Sequence, residues 1–291
     1  MEFAQLLLGG IATGCVYGLV ALGFVLIYKA TEAVNFAQGD MMMLGAFFTL
    51  QCVNADYWGL PFWPGLALAV LATAGVGYLL EAFVIRRLFG QPQFAVVILT
   101  IAIGFVLRFL AGFVWGHELL TLETPFAGRN LSLFGLAIGL DEVFVVAMTV
   151  AFTSALYFFF ARTRLGMAMQ ASSQNQLAAY YMGVPVKRIH GLVWALSGAI
   201  STVAGVMFAA RGSIDPSLGL LGIKAFAAAI IGGFGSLPGA LAGGLIVGVV
   251  EPFASRYIPA GISQMMPYAI MLLVLLLRPN GLFAQIQRKK V

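Results

Sequence analysis

Charge is what this chain has least of. Charged residues make up 9% of its 291 positions, against about 25% in a soluble protein, too few to cover a water-facing surface. Histidine is nearly absent: His117 and His190 stand far apart, without neighbours at metal-ligand spacing, so no metal site is expected. The two cysteines, Cys15 and Cys52, both fall in apolar segments. They read as small packing residues and carry no disulfide framework or redox motif. No lysine follows a glycine, so no Walker A loop is present to cradle a nucleotide's phosphates. No nucleophile stands beside a base, and no catalytic residue is expected.

What is present is apolar. Hydrophobic residues make up 61% of the chain and the mean hydropathy is +0.98. Uncharged runs extend over Phe3 to Tyr28, Tyr57 to Leu80, Leu88 to Leu107, Val143 to Ala161, Ile189 to Ala210, Ala225 to Val250 and Tyr257 to Leu277. Each is near or above the roughly 20 residues that span hydrocarbon as a helix. The first run is too long for a signal-peptide core and follows the acidic Glu2, so it reads as a retained span. A net charge of +5 does not point to nucleic acid, because the basic residues sit at segment ends: Lys29, Arg86, Arg87, Arg162, Arg164, Lys187, Arg188 and Arg288 to Lys290. That is the pattern of the positive-inside rule.

That rule places the loop from Arg162 to Arg188, the Arg288–Lys290 tail, Lys29, Arg86 and Arg87 in the cytoplasm. The stretch from Trp115 to Asp141, with Glu118, Glu123 and the neighbouring Glu142 against Arg129, falls outside, as does the N-terminus. The expected spans are 5–28, 33–53, 62–85, 93–115, 141–161, 189–210, 222–234, 237–255 and 265–280. The segment 222–234 measures only about 20 Å as a helix and reads as a half-helix. The segment 33–53 carries Asn35, Gln38 and Asp40 and reads as partly re-entrant. The expected architecture is therefore an all-α polytopic bundle of about eight spans plus a half-helix, in one transmembrane domain over 1–291.

Glycine is abundant, at 35 residues. Gly10, Gly14 and Gly18 lie four apart, as do Gly235/Gly239, Gly239/Gly243 and Gly244/Gly248, the spacing that lets helix backbones approach closely in lipid. Gly235, Ser236 and Pro238 mark a helix break, tolerated at membrane depth only where protein or a watery cavity covers it. Ionisable groups in or near spans are Asp40, Glu81, Arg108, Lys224 and Glu251. Glu81 is expected beside Arg86, Lys224 and Glu251 as a pair flanking the broken hairpin, and Arg108 as a snorkelling or neutralising charge. Asn35, Gln38, Asp40 and Glu251 are candidates to line a translocation path.

The long polar interruption from Arg162 to Gly191 holds the one organised cytoplasmic segment. Ser173 with Gln176 has the spacing of a capping box. Leu177, Tyr180, Tyr181 and Val184 share one helical face, Gly183 suits the left-handed position after the helix, and Pro185 stops it. A short amphipathic helix with an unpartnered apolar face follows. It either lies on the bilayer or docks a protein, and its place in a tight basic loop favours docking.

Four stretches make the chain resemble the permease subunits of bacterial ABC importers for branched-chain amino acids, the hydrophobic amino-acid uptake class. They are GCVYGLVALGFVLIYKATEAVNFAQGDMMMLGAF (Gly14 to Phe47), RTRLGMAMQASSQNQLAAYYMGVPVKRI (Arg162 to Ile189), LGIKAFAAAIIGGFGSLPGALAGGLIVGVVE (Leu221 to Glu251) and LLLRPNGLFA (Leu275 to Ala284). The resemblance runs end to end and is specific for the class rather than for the solute. It implies a type II importer-like permease in the bacterial inner membrane and a coupling helix over Ser173, Gln176, Leu177, Tyr180, Tyr181 and Gly183. It also implies two ATPase subunits carrying ATP and Mg, a second, longer permease, and a solute-binding protein. No cofactor is expected on this chain itself.

Departures from the pattern are Lys29 where glycine is common, Gln38 where histidine is common and Pro185 where asparagine is common. They bear on the solute more than on the mechanism. A urea or short-amide permease shares the same signatures. An ion-coupled secondary transporter would also use broken helices and intramembrane acids, but has no need of a docking helix. An intramembrane enzyme lacks its nucleophile and base.

Overall fold

A computed structural model describes residues 2–88, 91–126, 129–133 and 136–283. The Arg288–Lys290 tail and Ala284 lie outside the described residues. The α-helices among them are α1 (Glu2–Thr31), α2 (Gln38–Val53), α3 (Phe62–Phe83), α4 (Gln93–Trp115), α5 (Leu140–Arg162), α6 (Arg164–Gln174), α7 (Gln176–Tyr181), α8 (Val186–Ala209), α9 (Leu221–Gly232), α10 (Leu237–Tyr257), α11 (Ala260–Ser263) and α12 (Met266–Leu277). Six of them, α1, α3, α4, α5, α8 and α10, are long and apolar enough to cross a membrane. The other three expected spans are short helices: α2 has 16 residues, and α9 and α12 have 12 each.

α1 and α8 are the central helices. Their most apolar windows are 89% and 78% buried, against 28% for α3, α4 and α5, so the latter three form the outer wall. α1 packs antiparallel on α10 through the glycines that the sequence spaces four apart. A Cβ on Gly10 would lie 2.9 Å from the Val249 Cα, and one on Gly14 2.8 Å from the Leu245 Cα. Gly244 and Gly248 in turn face the backbone of Gly18 and Gly14. Without side chains in between, two backbones meet in direct van der Waals contact, which is how helices associate where no hydrophobic force is available.

At one end of the bundle, which carries α6 and α7, Arg86 bonds Glu81 and donates to the Lys187 carbonyl (3.2 Å). At the opposite end, β1 (Leu120–Thr121) pairs antiparallel with β4 (Ser213–Ile214), while β2 (Asn130–Leu133) and β3 (Leu136–Gly139) form a hairpin. Asn54 braces the first pair, donating to the Thr121 carbonyl (2.8 Å) and accepting from the Glu123 N–H (3.0 Å). Arg211 faces Glu142 (3.4 Å) and Asp141 (3.7 Å) there.

Two entries into the bundle are non-helical. The first replaces the expected helical start at 33: residues 32–37 are unwound, and α2 begins only at Gln38. Glu32 takes a left-handed φ of +55°, uncommon for a residue with a side chain. The Asn35 side-chain Oδ1 accepts from the Ala37 N–H (3.1 Å), a local turn that competes with helix. Gln93, at the start of α4, donates to the Glu32 carbonyl, and Thr100 accepts from the Phe36 N–H (3.1 Å). Seven residues of α4 separate these contacts, so α2 starts about 10 Å inside the bundle. The second entry comes from the opposite end. There Asp215 accepts from the Ser217 N–H (3.1 Å), a 3-10 turn covers Pro216–Leu220, and α9 follows.

Candidate functional site

The polar loop folds as two helices rather than one. Thr163 caps α6, its hydroxyl oxygen accepting from the Gly166 N–H (3.0 Å). Asn175 caps α7 by accepting from the Ala178 N–H (2.9 Å). The expected capping box of Ser173 and Gln176 does not form. Helix α6 continues through Gln174, so Ser173 sits in its last turn and donates to the Gln170 carbonyl (2.8 Å). Gln176 instead donates to the Ala30 carbonyl in the last turn of α1 (2.8 Å). The expected face is also divided: Leu177, Tyr180 and Tyr181 are 64%, 66% and 77% exposed, whereas Val184 turns inward against the core. Gly183 holds the left-handed φ of +83° that the sequence assigns to it, and α8 starts immediately after Pro185.

Of the four path candidates, Asn35 and Gln38 come together while Asp40 and Glu251 go elsewhere. Asn35 and Gln38 are fully buried. Gln38 donates to the Ser201 hydroxyl (2.7 Å) and accepts from the Ser197 hydroxyl (2.9 Å), and Asn35 donates to Gln38 (3.3 Å). This satisfied network ties the start of α2 to α8. Sequence reasoning passed over Ser197 and Ser201, whose signal is two hydroxyls one turn apart within an apolar run.

Asp40 points the other way. Arg108 of α4 donates to one Asp40 carboxylate oxygen through both Nε (3.1 Å) and Nη2 (2.8 Å). Asp40 is 4% exposed; its carboxylate lies against Gly104 of α4 and Gly219 of the 3-10 turn, where any Cβ would collide with it. An acid in the first turn of a helix also complements the dipole. Arg108 lies 5.6 Å from the Phe105 ring centroid and lines an open cleft of about 390 Å³ with Phe105, Phe109, His117, Asp215 and Ser217.

Glu251 bonds Lys224 and accepts from the Tyr17 hydroxyl (2.7 Å), joining α10, α9 and α1. The expected break lies at the far end of the α9–α10 hairpin from this group, where Gly232 meets Gly239. Gly233 ends α9 at φ +95°, the Ser236 hydroxyl caps α10 at the Gly239 N–H (3.1 Å), and Pro238 occupies the first turn, where its missing N–H costs nothing. The last carbonyls of α9, on Ile231 and Gly232, accept from the N–H groups of Leu282 (2.9 Å) and Phe283 (3.2 Å).

Residues 6–275 match the family described as branched-chain amino acid transport system / permease component. The chain is 28% identical over 302 residues to the high-affinity branched-chain amino acid transport system permease protein BraD of Pseudomonas aeruginosa, covering 100% of this chain and 98% of the relative. It is 28% identical over 303 residues to the permease protein LivH of Escherichia coli, with the same coverage. To LivM, a second permease protein of that system in Escherichia coli, it is 26% identical over 295 residues, covering 92% of this chain and 67% of LivM.

Proposed function

The chain belongs to the branched-chain amino acid transport system permease component family, and from that premise we propose that it is the membrane subunit of an importer that moves branched-chain, hydrophobic amino acids across the inner membrane. It is a multi-pass membrane protein and a transport permease, not an enzyme. ATP and Mg belong to two partner ATPase subunits, and solute capture belongs to a soluble binding protein. A second, longer permease completes the path, a reading supported by the occurrence of LivH and LivM as two permease proteins in one organism. The whole chain acts as one transmembrane domain, with α2, α9 and α12 taken as further membrane segments in a type II importer-like arrangement. The relatives are named for branched-chain amino acids, which favours these over urea or short amides.

The observation that carries the reading is α7. A six-residue helix that exposes Leu177, Tyr180 and Tyr181 at the end of a membrane bundle has the form of a coupling helix for a cleft in an ATPase. Its tie to α1 through Gln176 leads directly to the unwound segment after Thr31. ATP-driven closure of the ATPases pushes α7, and the glycine-lined contacts let the helix groups rock around the path. Gly235, Ser236 and Pro238 supply the break between α9 and α10. Asn35, Gln38, Asp40 and Glu251 fix the geometry of segments beside that path.

Co-purification from native membranes tests this. Recovery of two ATPase subunits and a second permease is expected, with uptake of leucine, isoleucine and valine dependent on ATP. Recovery of the chain alone, with uptake that follows a proton or sodium gradient, overturns it.

A further inference from the structure

The cleft between α4 and the 3-10 turn at Pro216–Leu220 has a composition that lipid does not accept. Arg108, His117, Asp215 and Ser217 share it with Phe105, Phe109, Pro216 and Leu220. Ionisable side chains in a membrane protein face water-filled cavities or one another, and an irregular backbone segment inside a bundle is tolerated where it lines such a cavity. The cleft lies at the end of the bundle that carries the β1–β4 pair, and its charged lining suits water rather than hydrocarbon.

Its charges are arranged in a particular way. Asp40 occupies Nε and Nη2 of Arg108. A guanidinium has five N–H donors in a planar fork, so one edge remains for a second carboxylate, and the Arg108 side chain is 25% exposed. Asp215 lines the same cleft but forms no ion pair with Arg108; one of its oxygens accepts from the Ser217 N–H and hydroxyl. Cation and anion thus stand apart across open space. Phe105, Phe109 and Leu220, exposed at 62%, 70% and 48%, line the same cleft. A volume of about 390 Å³ falls within the range of small-molecule sites.

We propose that this cleft is a solute-contact site of the permease, taking a zwitterionic amino acid with an aliphatic side chain. Arg108 receives the α-carboxylate, Asp215 the α-ammonium, and Phe105, Phe109 and Leu220 the side chain. Charges then alternate from Asp40 through Arg108, the solute carboxylate and the solute ammonium to Asp215, so that neither end of the zwitterion enters the path unpaired. The proposal rests on the importer reading above and assigns solute selection partly to the membrane subunit.

The test uses the assembled importer in proteoliposomes, with radiolabelled leucine. Asp215→Asn keeps an acceptor for Ser217 but removes the charge, and Phe109→Ala removes an exposed ring without touching the Asp40 pair. Each is expected to lower leucine moved per ATP hydrolysed by fivefold or more. A Ser217→Cys variant gives a second readout, because the native Cys15 and Cys52 are buried. A charged thiol reagent is expected to label the new cysteine, and leucine to slow that labelling several-fold, whereas leucinamide, which lacks the carboxylate, leaves it unchanged. Wild-type transport stoichiometry in both Asp215→Asn and Phe109→Ala, or labelling indifferent to leucine, overturns the site while the importer stands. Absence of leucine uptake by the wild-type assembly removes the importer reading itself.

Discussion

Gly39 and Gly222 meet backbone to backbone. A Cβ added to Gly39 would lie 2.7 Å from the Gly222 Cα, and one added to Gly222 2.6 Å from the Gly39 Cα. Gly39 is the second residue of α2 and Gly222 the second of α9. The two short helices, entered from opposite ends of the bundle, therefore start at the same level with nothing between them.

Gly39→Val or Gly222→Val is expected to force that junction open. Overpacking a tight interior costs about 1–3 kcal/mol, and here the neighbour is backbone, which yields less than a side chain. The melting temperature in detergent checks this and should fall for both. Gly75→Ala, at a position with nothing within 4 Å, should melt like the wild type. Equal melting of all three variants would mean that the helix starts are not in contact.

Gly14→Leu and Gly248→Leu should each separate α1 from α10, since both sites face backbone across the contact. Loss of membrane-inserted, monodisperse protein in size-exclusion chromatography is the expected result. Gly235→Ala, with open space around it, is the matched control within the break.

Asp40→Ala and Arg108→Ala each strand one member of a pair that is 5% and 25% exposed in its side chains. Leaving such a group unpaired costs about 1–3 kcal/mol. The double variant removes both charges, and its melting temperature should lie above that of Arg108→Ala, which leaves the more deeply buried charge alone. A double variant that melts at the sum of the two single losses would show that the residues act independently.

Leu177→Glu and Tyr181→Glu should leave folding intact, because both side chains are largely exposed and surface changes away from special features stay within about 0.5 kcal/mol. ATP-dependent uptake should collapse at unchanged membrane yield. Gln176→Ala, which removes the tie to Ala30, should weaken coupling partially. Normal uptake in the two glutamate variants would sink the assignment of α7 as the coupling helix.

The helix inventory was legible because hydrocarbon imposes a length and a composition: each of the nine expected spans overlaps a helix, and 93–115 matches α4 at both ends. Gly183, the Ser236–Pro238 break and the Glu81–Arg86 pair were legible too, because each rests on local backbone preference or on two charges five positions apart. The Lys224–Glu251 pair, 27 positions apart, was legible because the break between them turns the chain back on itself. The capping box misled because Ser173 and Gln176 satisfy the spacing of a helix start, while the register of α6 carries the chain through Gln174. A spacing rule does not see the preceding helix.

Composition by itself determined that this chain crosses a membrane repeatedly, since too few charges are present to solvate a surface. Only the tertiary structure decided which polar residues belong together. Gln38 turns to Ser197 and Ser201, while Asp40, two residues on, turns to Arg108, which is 68 positions distant. A helix rotates about 100° per residue, so neighbours in sequence face different partners, and which partner stands there is set by how the helices are arranged around them.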